Sequence, residues 1–172
     1  YATSITGSIS GACAQTGTEY LRLLRGASAI PEDAVYVENA AAAVSFLSQT
    51  QGNVLLTTGS KELAAFSGMA GFAERVYARV LPMESSLESC RSAGLKPAQT
   101  IAMQGPFSQE MNAAMLRFAN AKWLVTKDGG DAGGFEAKAG AARKAGARMV
   151  VIGRPPQRDG VDYSRVIEML CK

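Results

Sequence analysis

The chain contains no histidine and only three cysteines among its 172 residues. The missing imidazole removes the commonest general base and the commonest metal ligand, which argues against serine-hydrolase and metallohydrolase chemistry. Cys13, Cys90 and Cys171 are odd in number and far apart, so neither a disulfide framework nor a metal site is predicted. Free thiols in a reducing cytosol are the simpler interpretation, which predicts a cytoplasmic protein.

Long apolar runs and a strong charge of either sign are also absent. No run approaches the roughly 20 residues that a membrane-spanning helix needs, so no membrane partner is predicted. The net charge of +3 is too small to indicate nucleic acid as a partner, although it suits an anionic small molecule. A hydrophobic content of 47% and a charged content of 19% are ordinary for a globular chain that needs no disulfide to fold.

Short apolar runs alternate with amphipathic segments, which predicts an α/β fold with a mostly parallel sheet flanked by helices. The small residues of segment 2–15 predict an opening helix. Further helix starts are indicated by Asn39, by Ser85 with Glu88 as a capping box, by Ser108 and by Asp162. Apolar stripes are predicted at Met111, Met115 and Phe118 and at Phe135, Ala139 and Ala142. The predicted strands are 20–24, 35–37, 54–57, 76–81, 100–103, 123–126 and 149–152.

A change in composition marks a predicted boundary near residues 26–34. The stretch 26–33, with Pro31, is predicted to be a linker. Residues 1–33 would then be the remnant of an N-terminal domain plus its linker, and residues 34–172 a single α/β domain. The chain begins at Tyr1 rather than at a methionine and no signal peptide follows, so we expect that a preceding section is absent.

Ligands of open α/β sheets collect at the carboxyl ends of the strands, and four predicted strand ends lead into unusual loops. In the first, the 57–62 loop, a glycine permits a tight turn, a serine can cap the next helix and a lysine adds positive charge. This loop either binds a phosphate or carboxylate or is a plain capped turn. The spacing of a nucleoside triphosphate loop is absent. Its candidate binding residues are Thr58, Gly59, Ser60 and Lys61.

The 104–108 loop follows the predicted strand 100–103. Pro106 stiffens it, and Phe107 would lie at the ligand edge, where an aromatic ring can pack against a flat ligand. A buried aromatic at the start of a helix is the alternative interpretation. The candidate binding residues of this loop are Gly105, Pro106, Phe107 and Ser108.

The 127–134 loop contains four glycines, which permit a ligand to approach the backbone closely. Its lysine is a candidate charge partner or proton donor, and a solvated surface lysine is the alternative. After the last strand, Arg154 either binds a carboxylate or phosphate through two hydrogen bonds or is an exposed surface arginine. Together the four loops predict a site for an anionic ligand. The candidates in the 127–134 loop and the helix after it are Lys127, Asp128, Gly130, Gly133 and Lys138.

Six stretches of the sequence form an ordered series: EYLRLLR, NVLLTTGSKELAAF, RVYARVLP, TIAMQGPFSQEMN, WLVTKDGGDAGGFEAK and MVVIGRPP. This series resembles the precorrin-6A reductase family, including its cobalt-precorrin-6A branch. The stretches occur in the family's order and with family-like spacing across essentially the whole chain. The opening stretch is similar to the part of the family that begins just after a His-Pro pair, which implies that the break falls inside the N-terminal half.

The resemblance implies two Rossmann-like halves with a cleft between them, of which this chain would hold the C-terminal half and the tail of the first. It also implies an oxidoreductase of cobalamin (vitamin B12) biosynthesis, in which NADPH or NADH reduces one double bond of precorrin-6A to give precorrin-6B. Hydride goes to one carbon and a proton to its neighbour, and Lys127 is the candidate proton donor. The family's glycine-rich turn that would contact the dinucleotide is not in this sequence, so the chain is expected to be an incomplete enzyme.

Two other classes of function stay open at this point. A tetrapyrrole-type methyltransferase would also combine glycine-rich loops with a flat anionic substrate, and it would bind S-adenosylmethionine rather than a nicotinamide. A non-catalytic domain that binds a tetrapyrrole is the second alternative. The choice between NADH and NADPH and between cobalt-containing and cobalt-free substrate is left open. The apolar face of residues 2–24 predicts pairing with a second copy in a homodimer.

Overall fold

The computed structural model describes residues 3–24, 26, 28–129, 134–154 and 160–171. The chain forms two compact units, of which the larger is Ser28–Gly153 and the smaller combines Tyr1–Ala27 with Arg154–Lys172. The predicted assignment of residues 1–33 to a preceding domain and its linker stays a prediction.

The larger unit is built on a six-stranded sheet in the order β1-β6-β5-β2-β3-β4. Every neighbouring pair of strands is parallel, which confirms the predicted mostly parallel α/β sheet. Six of the predicted strands overlap the observed ones. The observed bounds are β1 Val35–Val37, β2 Asn53–Leu56, β3 Val76–Val80, β4 Thr100–Ala102, β5 Ala121–Lys127 and β6 Arg148–Ile152.

The predicted strand at residues 20–24 is wrong. Within this segment Leu23 forms a single isolated bridge with Val161, and the backbone N–H of Leu24 donates to the carbonyl of Val161 at 2.8 Å. The bridge does not extend into a ladder, because Asp162 directly after it caps a helix and turns the partner backbone away. The apolar run at 20–24 therefore does not form a strand, and its Leu21 and Leu23 are exposed.

Two layers of helices cover the sheet. One apolar core joins the sheet to α2, α3, α4 and α5, with Leu47 and Phe66 fully buried in it. The other core joins the opposite face of the sheet to α6 and α7, with Leu116 and Phe135 buried. The helices of this unit are α2 Ala40–Ser48, α3 Leu63–Phe66, α4 Phe72–Arg75, α5 Glu84–Ser92, α6 Gln109–Phe118 and α7 Phe135–Ala145.

Two predicted helix caps are confirmed in this unit. The side chain of Asn39 accepts a hydrogen bond from the N–H of Ala42 at 2.9 Å, and the hydroxyl of Ser108 accepts one from the N–H of Met111 at 3.2 Å. Each bond satisfies a backbone donor that the first turn of a helix leaves without an internal partner. The stripe at Phe135, Ala139 and Ala142 is also confirmed as buried.

Two local predictions are wrong, and a third is right only for Met115. The helix α5 starts at Glu84 after Met83, without a side-chain cap, so Ser85 lies inside the helix rather than at its cap. Ser60 is likewise the first residue of a 3₁₀ turn and Gly59 occupies the cap position. On α6 the face towards the core is Asn112, Ala113, Met115 and Leu116, whereas Met111 and Phe118 are 43% and 66% exposed. The predictions of these caps and of this face used local sequence patterns alone, whereas the observed positions also depend on packing against the sheet.

The smaller unit contains two helices within its described residues, α1 Thr3–Thr16 and α8 Tyr163–Leu170. The helix predicted over 2–15 is confirmed by α1. Asp162 caps α8 as predicted, because its carboxylate accepts from the N–H of Arg165 at 2.8 Å. Across the described ranges, no helix combines the length and the apolar character that crossing a membrane requires.

A buried glutamine ties the start of β3 to the turn before β4. Gln99 is 6% exposed, and its amide nitrogen donates to the carbonyls of Ala73 at 3.0 Å and Val76 at 2.8 Å. Its amide oxygen accepts from the N–H of Lys96 at 3.1 Å. One side chain therefore satisfies three backbone groups at the edge of the sheet, of which the carbonyl of Val76 is buried.

Replacing Gln99 by leucine should lower the free energy of unfolding by about 1–3 kcal/mol, because backbone groups lose their partner without regaining water. Urea denaturation of Gln99→Leu against the original chain measures this difference. Gln49→Leu is the matched control, since Gln49 is exposed and its amide makes one 3.3 Å bond to the carbonyl of Ser45. Equal losses for the two variants would contradict the role given to Gln99.

Candidate functional site

The order in which successive strands are added to the sheet reverses between β2 and β5, at the centre of the sheet. Strand β2 is followed by α3 on one face, and the neighbouring strand β5 is followed by α7 on the other face. In open α/β sheets such a switch point leaves a crevice at the carboxyl ends of the two strands, where ligands bind. The 57–62 loop and the start of the 127–134 loop leave the sheet at these two carboxyl ends.

An ion pair joins the two loops across the switch point. Lys127 is the last residue of β5, and its ammonium lies 2.7 Å from a carboxylate oxygen of Glu62 in the 3₁₀ turn after β2. The side chains of Lys127 and Glu62 are 23% and 28% exposed, so the pair is only partly screened by water. The carboxylate of Glu62 thus fixes the position of the Lys127 ammonium at the carboxyl end of β5.

The 57–62 loop has the features of an anion-binding turn. Gly59 has a φ of +89°, a conformation that side chains rarely adopt and that explains the glycine. The hydroxyl oxygen of Thr58 is buried and finds no hydrogen-bond partner in the described part of the chain. Ser60 shares a 3.2 Å hydroxyl contact with Ser86, and Lys61 is exposed. The hydroxyl of Thr58 therefore has unused hydrogen-bonding capacity within this loop.

An open groove of about 510 Å³ lies beside this loop, between the 3₁₀ turn and α5. Its walls include Ser60 and Lys61 as well as three serines of α5, Ser85, Ser89 and Ser92. Two of the predicted binding residues therefore face an accessible, hydroxyl-rich surface rather than the core.

The 104–108 loop is fastened to α6 by a buried side chain. The amide nitrogen of Asn112 donates to the carbonyls of Phe107 at 3.3 Å and Ser108 at 2.8 Å. The Gly105–Pro106 peptide bond is cis. The ring of Phe107 lies under the guanidinium of Arg79, whose central carbon is 4.1 Å from the ring centre. Phe107 is therefore half-buried, with one face against a cation.

The sequence did not single out Arg79. This arginine lies near the carboxyl end of β3, is 9% exposed, and donates from Nη1 to the amide oxygen of Asn112 at 2.7 Å. Burial lowers the pKa of Arg79 to about 10, so the side chain stays charged at neutral pH. A charged residue inside the apolar run 76–81 was the signal that could have revealed it, because buried charges need a specific partner.

Lys138 adds a second positive charge on the same side of the sheet. It lies in the first half of α7 and is half-buried. Burial and, next, the positive charge of Arg79 lower the pKa of Lys138 to about 8. The two cations together give the α6 and α7 face of the sheet edge a positive potential, which suits an anionic ligand.

The remaining predicted residues have different surroundings. Asp128 is buried, and one of its carboxylate oxygens accepts from the hydroxyl of Ser28 at 2.6 Å and from its N–H at 3.3 Å. Arg154 belongs to the smaller unit, where its Nη2 donates to the carbonyl of Gly26 at 2.8 Å. Gly130 and Gly133 lie outside the described residues. The binding roles assigned to all of these positions stay predictions.

Comparison with known proteins agrees with the resemblance read from the motifs. The family model described as Precorrin-6x reductase CbiJ/CobK matches residues 1–171. A cobalt-precorrin-6A reductase of Priestia megaterium is 33% identical over 163 residues, covering 93% of this chain and 64% of the relative. That of Methanothermobacter thermautotrophicus is 36% identical over 160 residues, covering 90% of this chain and 52% of the relative.

A precorrin-6A reductase of Rhodobacter capsulatus is 31% identical over 163 residues, covering 92% of this chain and 62% of the relative. A solved structure of CobK precorrin-6A reductase matches with a TM-score of 0.71 at 30% identity, covering 95% of this chain and 66% of that one. The Rossmann-like α/β prediction is thereby confirmed. The chain spans 52% to 64% of the length of these three relatives. It belongs to the precorrin-6x reductase CbiJ/CobK family.

Proposed function

We propose that this chain takes part in the reduction of precorrin-6A, or of its cobalt form, to precorrin-6B in cobalamin biosynthesis, with NADPH or NADH as the reductant. The observation that carries the proposal is the family match over residues 1–171. The sheet edge supports it independently, because its two cations, its aromatic ring and its unsatisfied hydroxyl suit a flat macrocycle fringed with carboxylates.

The residues of the 57–62 loop fit an anionic group of either ligand. The buried hydroxyl of Thr58 lacks a partner among the described residues, and a Cβ placed on Gly59 would meet nothing within 4 Å. The loop therefore leaves room for an oxygen atom at the backbone, and the ammonium of Lys61 is free to approach it from the exposed side. A cofactor phosphate or a substrate carboxylate would occupy this position.

The chemistry divides between the cofactor and the chain. A reduced nicotinamide supplies the hydride when it is bound. The chain's own residues orient the macrocycle through its carboxylates and pack against its flat face. In this proposal Lys127, oriented by Glu62 at 2.7 Å, transfers a proton to the carbon beside the one that receives the hydride. Residues 1–33 are the end of a preceding domain and its linker.

Titration with NADPH and NADH tests the assignment of the reaction class. We expect the chain to bind the cofactor, which is measured by the change in Trp123 fluorescence. We also expect it to consume the reduced cofactor when precorrin-6A is added. The experiment uses the 172-residue chain alone and the same chain joined to the N-terminal part of the Priestia megaterium relative. Failure of both forms to bind a nicotinamide, with binding of S-adenosylmethionine instead, would favour a methyltransferase. Binding of the macrocycle without turnover in both forms would favour a non-catalytic domain.

The role of Lys127 is tested by Lys127→Met in the form that shows turnover. Loss of the proton donor should lower kcat by about 100-fold or more, with a smaller change in KM, because general acid catalysis contributes to the transition state alone. Glu62→Gln is the companion variant, since it keeps the ammonium but removes its orienting carboxylate. A kcat unchanged in Lys127→Met would show that the proton comes from another group.

The lowered pKa of Lys138 predicts a pH dependence of stability. A lysine whose pKa is about 8 in the folded chain and about 10.4 in the unfolded chain binds more protons when unfolded between these values. The contribution of Lys138 therefore makes the free energy of unfolding rise with pH from about 8 to about 10.4. In urea denaturation at several pH values, Lys138→Met should remove this rise while Lys144→Met, at an exposed position on the same helix, keeps it. Identical pH profiles for both variants would contradict the shift.

A further inference from the structure

Arg79 is a buried cation without a counter-ion in the described part of the chain. It is 9% exposed, and its ion-pair distance to any described carboxylate exceeds the 4.0 Å that a salt bridge requires. Its polar contacts are to neutral groups, the amide oxygen of Asn112 at 2.7 Å and the sulfur of Met115 at 3.5 Å. Buried arginines are almost always paired with an anion, because an isolated charge is costly to remove from water.

The guanidinium uses only part of its hydrogen-bonding capacity. Both polar contacts are made by Nη1, whereas a guanidinium carries five N–H donors in a planar fork. Nε and Nη2, which form the edge that grips a carboxylate or phosphate through two parallel bonds, have no partner among the described residues. The flat face of the fork rests on the ring of Phe107 at 4.1 Å, so its plane is fixed.

A second arginine, the last residue of α4, shows what a purely structural arginine looks like in this fold. Arg75 precedes β3 at the opposite edge of the sheet. Its Nε donates to the carbonyl of Gly52 at 2.9 Å, and its Nη1 donates to the carbonyls of Ala70 at 3.2 Å and Leu47 at 3.4 Å. Its Nη2 donates to the hydroxyl of Thr50 at 3.2 Å. All three nitrogens of Arg75 are engaged, in contrast to the single engaged nitrogen of Arg79.

The position of Arg79 connects it with the ligand edge. It is the penultimate residue of β3, the neighbour of β2, whose carboxyl end leads into the 57–62 loop. Its side chain points to the α6 face through Asn112, and its charge acts on Lys138 of α7. We propose that Arg79 binds one oxyanion of the ligand, a macrocycle carboxylate or a cofactor phosphate, through its Nε–Nη2 edge. This inference rests on the proposed function for the identity of the ligands.

Asn112 and Phe107 are positioning residues in this arrangement. The amide oxygen of Asn112 holds Nη1, and its amide nitrogen holds the 104–108 loop. The ring of Phe107 prevents the guanidinium from turning away from the edge. The donor edge is therefore organised before the ligand arrives, which reduces the entropy lost on binding.

The experiment measures binding of two probes to the 172-residue chain and its variants. Uroporphyrin I supplies a flat macrocycle with carboxylates, and NADP⁺ supplies phosphates without a macrocycle. Arg79→Met removes the fork and keeps an apolar stem, and Arg79→Lys keeps the charge but loses the planar edge. Arg75→Met is the control for a partly buried arginine with a structural role only. Thermal unfolding of every variant with and without each probe is recorded alongside the dissociation constants.

We expect Arg79→Met to weaken one probe by about tenfold or more, as removal of a hydrogen bond to a charged group does, with an intermediate loss in Arg79→Lys. Weakening of uroporphyrin alone identifies a carboxylate as the oxyanion, and weakening of NADP⁺ alone identifies a phosphate. Arg75→Met should lower the melting temperature and leave both affinities unchanged.

The proposal is overturned if Arg79→Met binds both probes as the original chain does, or if the original chain binds neither. Should Arg79→Met fail to fold, Arg79→Lys decides, because it retains the buried charge. Turnover separates this inference from the proposed function. Reductase activity with an unchanged KM in Arg79→Lys would refute the subsite alone. Absence of turnover in both forms of the chain, together with weaker probe binding by Arg79→Met, would refute the reaction alone.

Discussion

Parallel pairing of all six strands is the constraint on which the rest of the site depends. Because every strand runs in the same direction, every strand-to-helix loop emerges at one edge. The pairing of β2 with β5 is the decisive one, since the helices that follow these two strands cover opposite faces. The resulting crevice is a product of topology, and the residues on its rim need only be polar and correctly spaced to form a binding site.

Charge distribution gives that edge its chemical character. The chain as a whole has a net charge of only +3, yet two of its cations are withdrawn from water on the α6 and α7 face. Burial lowers the pKa of Lys138, and repulsion by the nearby charge of Arg79 lowers it further. Lys127, in contrast, is neutralised locally by Glu62. The edge therefore contains buried cations together with an ion pair, which suits a ligand that carries anionic groups around an apolar ring.

The sequence was sufficient for the elements that a periodic pattern determines. The six strands of the sheet, the cap at Asn39 and the buried stripe of α7 could be predicted, because unbroken apolar runs and small residues have few alternative placements. The structure of segment 20–24 could not be predicted, since its apolar run is typical of a strand. The pairing of Leu23 with Val161 ends because a helix starts at Asp162. Arg79 was missed, because a single charge in a strand is most often solvent-facing, although its position inside the apolar run 76–81 was a usable signal. Its burial depends on α6, which is contributed by residues 109–118.

The neutral side chain of Asn112 has a consequence for which mutations the site could accept. An aspartate at this position would be nearly the same size and would bind Arg79 more strongly through its charge. It would also cancel the positive charge of Arg79, and it would lose the N–H donors that hold the carbonyls of Phe107 and Ser108. A change of a single nucleotide in the codon suffices to exchange these two amino acids. Keeping the charge of Arg79 uncancelled therefore depends on residue 112 of α6, which contacts the guanidinium directly.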